Sequence, residues 1–187
     1  MQAVLLGPPG AGKGTQAERL CQAHSLLHLS TGDLLRGAVT AGTDLGVEAK
    51  GFMDRGELVP DSLVLALLEE RLAKKTSDEG FLLDGFPRNV SQAEALAAKI
   101  GDDTIDHVVY LKLDDDQILQ RLLKRGRKDD TEEVILNRLS VYRAETEPLV
   151  AYYRERGLIR DVDALGTVEE VHKRLLDSIT TGGAASC

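Results

Sequence analysis

Short, almost entirely apolar runs alternate with longer segments of mixed polarity along the chain. Residues 4–6, 81–83 and 107–113 form three such runs, and residues 27–29 and 158–162 form two shorter or more polar ones. Runs of this length without a polar residue at every second position are typical of strands that are buried on both faces of a parallel sheet. The pattern therefore predicts a central sheet of five parallel strands.

The segments between these runs have apolar residues at helical spacing. In the first of them, Ala17, Leu20 and Cys21 fall on one face of a helix that begins near residue 15. The longest predicted helix has Asp130 as an acidic N-cap. Alternation of strands and helices predicts an α/β fold, a three-layer α/β/α sandwich. This longest helix covers residues 130–156, and the other predicted helices, in chain order, cover residues 61–75, 91–100, 119–124 and 168–179.

No repeat or linker divides the chain, so we expect a single domain over residues 1–187. Two segments interrupt the regular alternation. Residues 30–59 consist of helical pieces separated by glycines, which predicts a small helical insertion. Residues 125–131 are short and highly charged, which predicts a small loop between two helices. We expect both segments to move relative to the core.

Composition narrows the possible partners. The 187 residues carry a net charge of −8, whereas a general nucleic-acid-binding protein is usually basic, so we expect no nucleic-acid partner. No run approaches the roughly 20 apolar residues of a membrane helix, and the N-terminus lacks signal-peptide features. We therefore expect a cytoplasmic protein with no membrane partner. The two cysteines and four histidines show no metal-ligand spacing, and we expect structural roles for them.

The chemistry begins at residues 7–15, GPPGAGKGT, between the first strand and the first helix. Glycines allow successive backbone N–H groups to surround a phosphate, and the following helix N-terminus favours an anion. Lys13 adds a positive charge for the outer phosphates. The segment differs from the common G-x-x-x-x-G-K-[ST] loop because Gly14 follows the lysine and the hydroxyl arrives at Thr15. Without an N-K-x-D segment to recognise guanine, a GTPase is disfavoured.

This form of the loop resembles that of nucleoside monophosphate kinases, and especially the adenylate kinase family. Further segments resemble motifs of that family in the same order, and together they span residues 1 to about 175. They are STGDLLR at residues 30–36, GELV at 56–59, LLDGFPR at 82–88 with Gln92, RGRKDD at 125–130 and NRL at 137–139. As an ordered set these motifs are highly specific.

The resemblance implies reversible transfer of a phosphoryl group from ATP to AMP with Mg²⁺, giving two ADP. It implies a monomer, an AMP-binding insertion over residues 30–59 and a short lid over residues 125–131. Longer relatives carry a larger lid, sometimes with a four-cysteine zinc site. This chain has no cysteine near its lid, so we expect no zinc.

The resemblance also implies roles for individual residues. Lys13, Arg88, Arg127 and Arg138 would be catalytic, and Asp84 would hold Mg²⁺ through water. ATP would be bound by Gly10, Ala11, Gly12, Lys13, Gly14, Thr15, Arg121, Arg125 and Gly166. AMP would be bound by Thr31, Arg36, Glu57, Leu58, Val59, Gly85, Phe86, Arg88, Gln92, Arg127 and Arg138. Arginine suits these roles because it stays charged and makes paired bonds to phosphate oxygens.

Two alternatives remain at this point. The first is a UMP/CMP kinase: Asn89 follows that pattern, but Thr31 and Gln92 match enzymes that accept AMP. A glutamine amide can pair with the donor and acceptor that adenine presents side by side. The second is a non-catalytic nucleotide-binding module, which would be expected to lack Lys13, Asp84 or several arginines, and this chain retains them.

Overall fold

The computed structural model describes residues 1–72, 80–101, 103–127 and 131–181. Five parallel strands form one sheet in the spatial order β2-β3-β1-β4-β5. This confirms the predicted central sheet. The strands are β1 (Gln2–Leu6), β2 (Leu27–Ser30), β3 (Phe81–Asp84), β4 (His107–Lys112) and β5 (Ile159–Asp163).

Helices follow the strands in the predicted alternation. The prediction for residues 61–75 extends past Leu72 into residues outside the described part of the chain. The helices are α1 (Lys13–His24), α2 (Thr31–Ala41), α3 (Asp44–Arg55), α4 (Asp61–Leu72), α5 (Val90–Ile100), α6 (Asp115–Arg125), α7 (Glu132–Val141), α8 (Pro148–Glu155) and α9 (Val168–Thr181).

Strand β1 shows why the molecule has three layers. Its residues are at most 3% exposed from position 3 onward, and they point alternately to two separate apolar clusters. Val4 and Leu6 pack into a cluster with α4, α5 and α8, whereas Ala3 and Leu5 pack with α1 and α9. A strand buried on both faces needs apolar residues at every position, which explains the continuous run in the sequence.

The register of the sheet brings the ends of three strands together. Leu5 of β1 and Ser30 of β2 both pair with Asp84 of β3. Strand β1 pairs with β3 on one side and with β4 on the other. The connection after β1 therefore leads to one side of the sheet, and the connection after β3 leads to the other. Ligands of open parallel sheets bind at the carboxyl ends of the strands at such a point. The glycine-rich loop after β1 lies at this position.

Residues 30–59 fold as the two helices α2 and α3. Ser30 and Thr43 cap them, with hydroxyl oxygens that accept hydrogen bonds from Asp33 N and Gly46 N. A Cβ on Gly46 would lie 2.1 Å from the carbonyl oxygen of Ala38, so the two helices approach too closely for any side chain at this position. Of the predicted lid, residues 128–130 lie outside the described residues.

The prediction of a helix over residues 130–156 is confirmed as one helical segment, but the helix starts at Glu132 and contains one widened turn. Helix α7 continues into a π-helical turn (Tyr142–Thr146), in which Glu147 N donates to the carbonyl oxygen of Tyr142, and α8 then begins at Pro148. A proline within a helix removes one hydrogen bond and crowds the preceding turn, and a widened turn accommodates it. The N-cap was also misplaced: Thr131 caps α7 by accepting from Val134 N, and Asp130 lies outside the described residues.

Candidate active site

The glycine-rich loop connects β1 to α1 with backbone conformations that require glycine. Gly7 and Gly12 have φ of 145° and 94°, a region that favours glycine. A Cβ on Gly7 would also lie 2.7 Å from the carbonyl oxygen of Leu111. Helix α1 begins at Lys13, directly after the loop, so its unpaired N–H groups face the space that the loop encloses. The loop therefore has the geometry of an anion site.

Lys13 lies back across this loop. Its Nζ donates hydrogen bonds to the carbonyl oxygens of Gly7 and Pro8, at 2.7 and 3.0 Å. Burial lowers the pKa of Lys13 to about 8, although the Asp84 carboxylate acts in the opposite direction. The positive charges of Arg88 and Arg125 lower this pKa further. A bound phosphate would stabilise the ammonium form of Lys13 and reverse these effects.

We expect ATP to bind more weakly as the pH rises through about 8. The free protein loses the ammonium near that pH, whereas the complex retains it, so binding takes up a proton and the affinity falls by up to about tenfold per pH unit above this point. Calorimetric titration with ATP from about pH 7.5 to about 9.5 measures this. The Lys13→Arg variant, whose guanidinium stays charged, should give a flat profile. A wild-type profile as flat as that of the variant would contradict the assignment.

Asp84 ends β3 beside the loop and is only 8% exposed. A Cβ on Gly14 would lie 3.6 Å from Asp84 Oδ2, so the carboxylate faces the first turn of α1. The sequence predicts only a structural role for His28, and the structure places its Nε2 3.6 Å from Asp84 Oδ2. Interaction with Asp84 raises the pKa of His28. No spacing signal was available, because β2 and β3 are neighbours in the sheet but not in the sequence.

A cavity of about 450 Å³ opens above the loop. Every arginine that was predicted to bind phosphate lines this cavity. Arg88 is central: burial lowers its pKa, Asp84 opposes this, and the charges of Arg138 and Arg36 lower it further. Cations that perturb one another in this way lie close together. The six arginines that line the cavity are Arg36, Arg88, Arg121, Arg125, Arg127 and Arg138.

Other predicted residues line the same cavity on the side of the insertion. Thr31 Oγ donates to the carbonyl oxygen of Gly85 at 2.8 Å, and Arg88 Nε donates to that same oxygen at 2.8 Å. Gly85 has φ of 80°, and a Cβ on it would lie 2.9 Å from Thr31 Oγ. The other residues predicted for AMP that line this cavity are Glu57, Leu58, Val59 and Gln92, and those predicted for ATP are Gly10, Gly12, Lys13, Gly14 and Thr15.

Phe86 is placed differently from the other predicted residues. Its side chain is fully buried in the core cluster that includes Leu83 and Leu149, and it does not line the cavity. The residue follows the turn at Gly85, where an apolar ring is more stable inside the core than beside a cluster of cations. Phe86 therefore supports the turn that presents Arg88.

A second cavity of about 360 Å³ adjoins the loop on the other side. Its lining includes Ala11, Arg121 and Gly166. Arg121 Nη2 donates to the carbonyl oxygen of Ala164 at 2.9 Å. Gln16, which sequence analysis did not identify, is 3% exposed and donates from Nε2 to the carbonyl oxygen of Val168 at 3.0 Å. These bonds fix residues 164–168 beside the phosphate loop.

With this geometry established, the chain can be compared with known proteins. The family model described as adenylate kinase matches residues 5–158, which is more than half of the chain. The chain belongs to the adenylate kinase family. Membership makes the protein a phosphotransferase.

Relatives named adenylate kinase match over almost their whole length. One from Synechococcus sp. (strain WH7803) is 57% identical over 178 residues, which cover 94% of this chain and 97% of the relative. One from Parasynechococcus marenigrum (strain WH8102) is 57% identical over 92% of this chain and 94% of the relative. One from Mycobacterium sp. (strain MCS) is 50% identical over 96% of this chain and 99% of the relative.

Adenylate kinase membership is favoured over the UMP/CMP kinase alternative. Asn89, which pointed toward that alternative, has a structural explanation: its Oδ1 caps α5 by accepting from Gln92 N at 2.8 Å. Among the described helices, none is long and apolar enough to cross a membrane.

Proposed function

We propose that this adenylate kinase catalyses the reversible, Mg²⁺-dependent transfer of a phosphoryl group from ATP to AMP, giving two ADP, and so balances the adenine nucleotides. The observation that carries the proposal is the shared cavity in which Lys13 and six arginines surround the glycine-rich loop. Phosphoryl transfer needs little covalent chemistry from the protein. It needs two anionic nucleotides held in line, their repulsion neutralised and water excluded.

The donor side lies on the loop and the second cavity. Backbone N–H groups from Gly10 to Thr15 would bind the phosphates of ATP, and Lys13 would move from the loop carbonyls to the outer phosphates. The adenine would lie between Arg121 and the backbone at Gly166, which line the second cavity together. Arg125 would add positive charge on this side.

The acceptor side lies toward the insertion. Arg36 and Arg88 would bind the AMP phosphate, and Gln92 would recognise adenine. Residues 57–59 line the cavity where the base would enter. Arg127 and Arg138 would bridge the transferring group, since both line the cavity together with Arg88. We further propose that residues 30–59 and 125–131 close over both nucleotides, since this would exclude water.

Asp84 has the chemistry that a magnesium site requires. Its carboxylate is nearly buried at the end of β3 and faces the first turn of α1. Among the described residues there is no group of three or more His, Cys, Asp or Glu side chains placed so that they could hold a metal ion. One carboxylate suits Mg²⁺, which keeps several waters and takes other ligands from phosphates. When bound, the ion would neutralise charge on the phosphates, and Thr15 offers a hydroxyl on the same turn.

A substrate panel tests the proposal. Purified protein is mixed with ATP, Mg²⁺ and one of AMP, CMP or UMP, and ADP formation is followed by chromatography. We expect turnover with AMP and little with the pyrimidine nucleotides, because Gln92 matches adenine. Faster turnover with CMP or UMP would refute AMP as the acceptor. A monomeric state, a cytoplasmic location and the absence of zinc, nucleic acid and membrane partners remain predictions.

A further inference from the structure

Gln92 is buried, 2% exposed, and its amide is already held at both ends. Its Oε1 accepts from the backbone N–H of Arg88 at 2.7 Å, and its Nε2 donates to Asp61 Oδ1 at 2.5 Å. Asp61 begins α4, directly after the insertion. Gln92 lines the main cavity. The orientation of the Gln92 amide therefore depends on two fixed neighbours, of which one is a hydrogen-bond donor and the other is an acceptor.

These neighbours allow only one orientation of the amide. An ionised carboxylate only accepts hydrogen bonds, and a backbone N–H only donates. Rotating the amide by 180° would set Oε1 against Asp61 and Nε2 against the N–H of Arg88, so both contacts would become repulsive. Asn89 supports Asp61 in turn, because its Nδ2 lies 3.4 Å from both carboxylate oxygens. The network thus extends over three side chains.

The observed orientation of the Gln92 amide matches a 6-aminopurine base and not a 6-oxopurine base. Each end of an amide has two hydrogen-bonding positions, so Gln92 retains one N–H and one lone pair for a ligand. The lone pair accepts from a 6-amino group, and the N–H donates to the adjacent ring nitrogen N1. A 6-oxopurine presents the reverse pattern, an acceptor at position 6 and a donor at N1. It would need the rotated amide that Asp61 and Arg88 oppose.

We propose that Asp61 is a specificity-determining residue, which fixes the Gln92 amide so that the acceptor site takes 6-aminopurine nucleotides and rejects 6-oxopurine nucleotides. The proposal rests on the proposed function, in which Gln92 recognises the base of AMP. Asp61 acts through Gln92 as a positioning residue. Discrimination of this kind depends on buried polar groups that the wrong ligand leaves unpaired or opposed.

The test compares kcat/KM for AMP with that for IMP, a 6-oxopurine nucleotide. In Asp61→Asn the new side chain can donate as well as accept, so one of the two constraints is lost. Because a hydrogen bond to a charged group is stronger than one between neutral groups, the AMP/IMP ratio should fall roughly tenfold or more. The KM for ATP should stay unchanged. The matched control is Ser62→Ala, the exposed neighbour on α4, which should keep the wild-type ratio.

The possible results distinguish a failure of this proposal from a failure of the proposed function. An unchanged AMP/IMP ratio in folded Asp61→Asn overturns the proposal, even if kcat/KM falls for both nucleotides. If that variant does not fold, Asn89→Ser decides: serine still caps α5 but removes the donor to Asp61, so the ratio should fall, and an unchanged ratio overturns the proposal. Absence of ADP formation from AMP in the wild-type protein would instead refute the proposed function.

Discussion

Replacing Arg88 with alanine should lower kcat by roughly 10²-fold or more, the range expected for an arginine that neutralises a transferring phosphoryl group. This equals about 2.7 kcal/mol or more of transition-state stabilisation. The charges of Asp84, Arg138 and Arg36 all act on the pKa of Arg88, and Arg88 lines the cavity with them. The KM for AMP should rise as well, while the KM for ATP should change little. Steady-state kinetics with each nucleotide varied in turn measures all three quantities.

Two further variants separate charge, geometry and stability at this position. Arg88→Lys keeps the charge but loses the planar fork, so it should recover only part of the activity. Arg154→Ala removes an exposed guanidinium that pairs with Asp161 at 3.0 Å on the surface, and it should retain wild-type activity. Thermal melting shows whether each variant is folded. Near wild-type turnover in folded Arg88→Ala would remove Arg88 from the reaction.

Replacing Asp84 with asparagine should raise the Mg²⁺ concentration needed for half-maximal activity by roughly 10- to 100-fold, as for groups that hold a metal through its outer shell. The substitution preserves size at a site that is 8% exposed, so the fold should be retained. The loss arises because a neutral amide does not attract the hydrated cation as a carboxylate does. Titration of activity with Mg²⁺ at constant nucleotide concentration measures the effect.

Asp161→Asn is the matched control for this prediction. Asp161 also lies on a strand, but it is exposed and pairs with Arg154 away from the cavity. Its Mg²⁺ dependence should equal that of the wild type. If Asp84→Asn and Asp161→Asn give the same Mg²⁺ titration curve, Asp84 has no role in holding the metal.

Features that depend on neighbouring residues in the chain could be predicted from the sequence. The glycine-rich loop lies between a strand and a helix as expected, and Lys13, Gly14 and Thr15 form the first turn of that helix, because glycine conformation and apolar runs act locally. Most predicted helix and strand ends agree with the structure to within about two residues, the usual uncertainty of element boundaries. The exceptions are the start of α6, at Asp115 and not at residue 119, and the widened turn before Pro148, whose effect depends on whether the helix breaks or widens.

Features that depend on the order of strands or on contacts between distant elements could not be predicted. His28 reaches Asp84 only because β2 lies beside β3. Asp61 reaches Gln92 across 31 residues of sequence, and no spacing rule connects them. The convergence of the arginines was expected from a family resemblance and not from their spacing. Phe86 belongs to a recognisable motif, but the motif alone does not distinguish a residue of the core from one that lines the cavity.

A crystal structure of the protein with a bisubstrate analogue, two adenosines joined through a chain of phosphates, tests the central claim most directly. That claim is that the arginines and Lys13 hold two nucleotides end to end across the glycine-rich loop. The account predicts one adenine near Gly166 and the other near Gln92, with Lys13, Arg88 and Arg138 bonded to the phosphate chain between them. An analogue bound outside this cavity, or phosphates without contact to these three side chains, would contradict it.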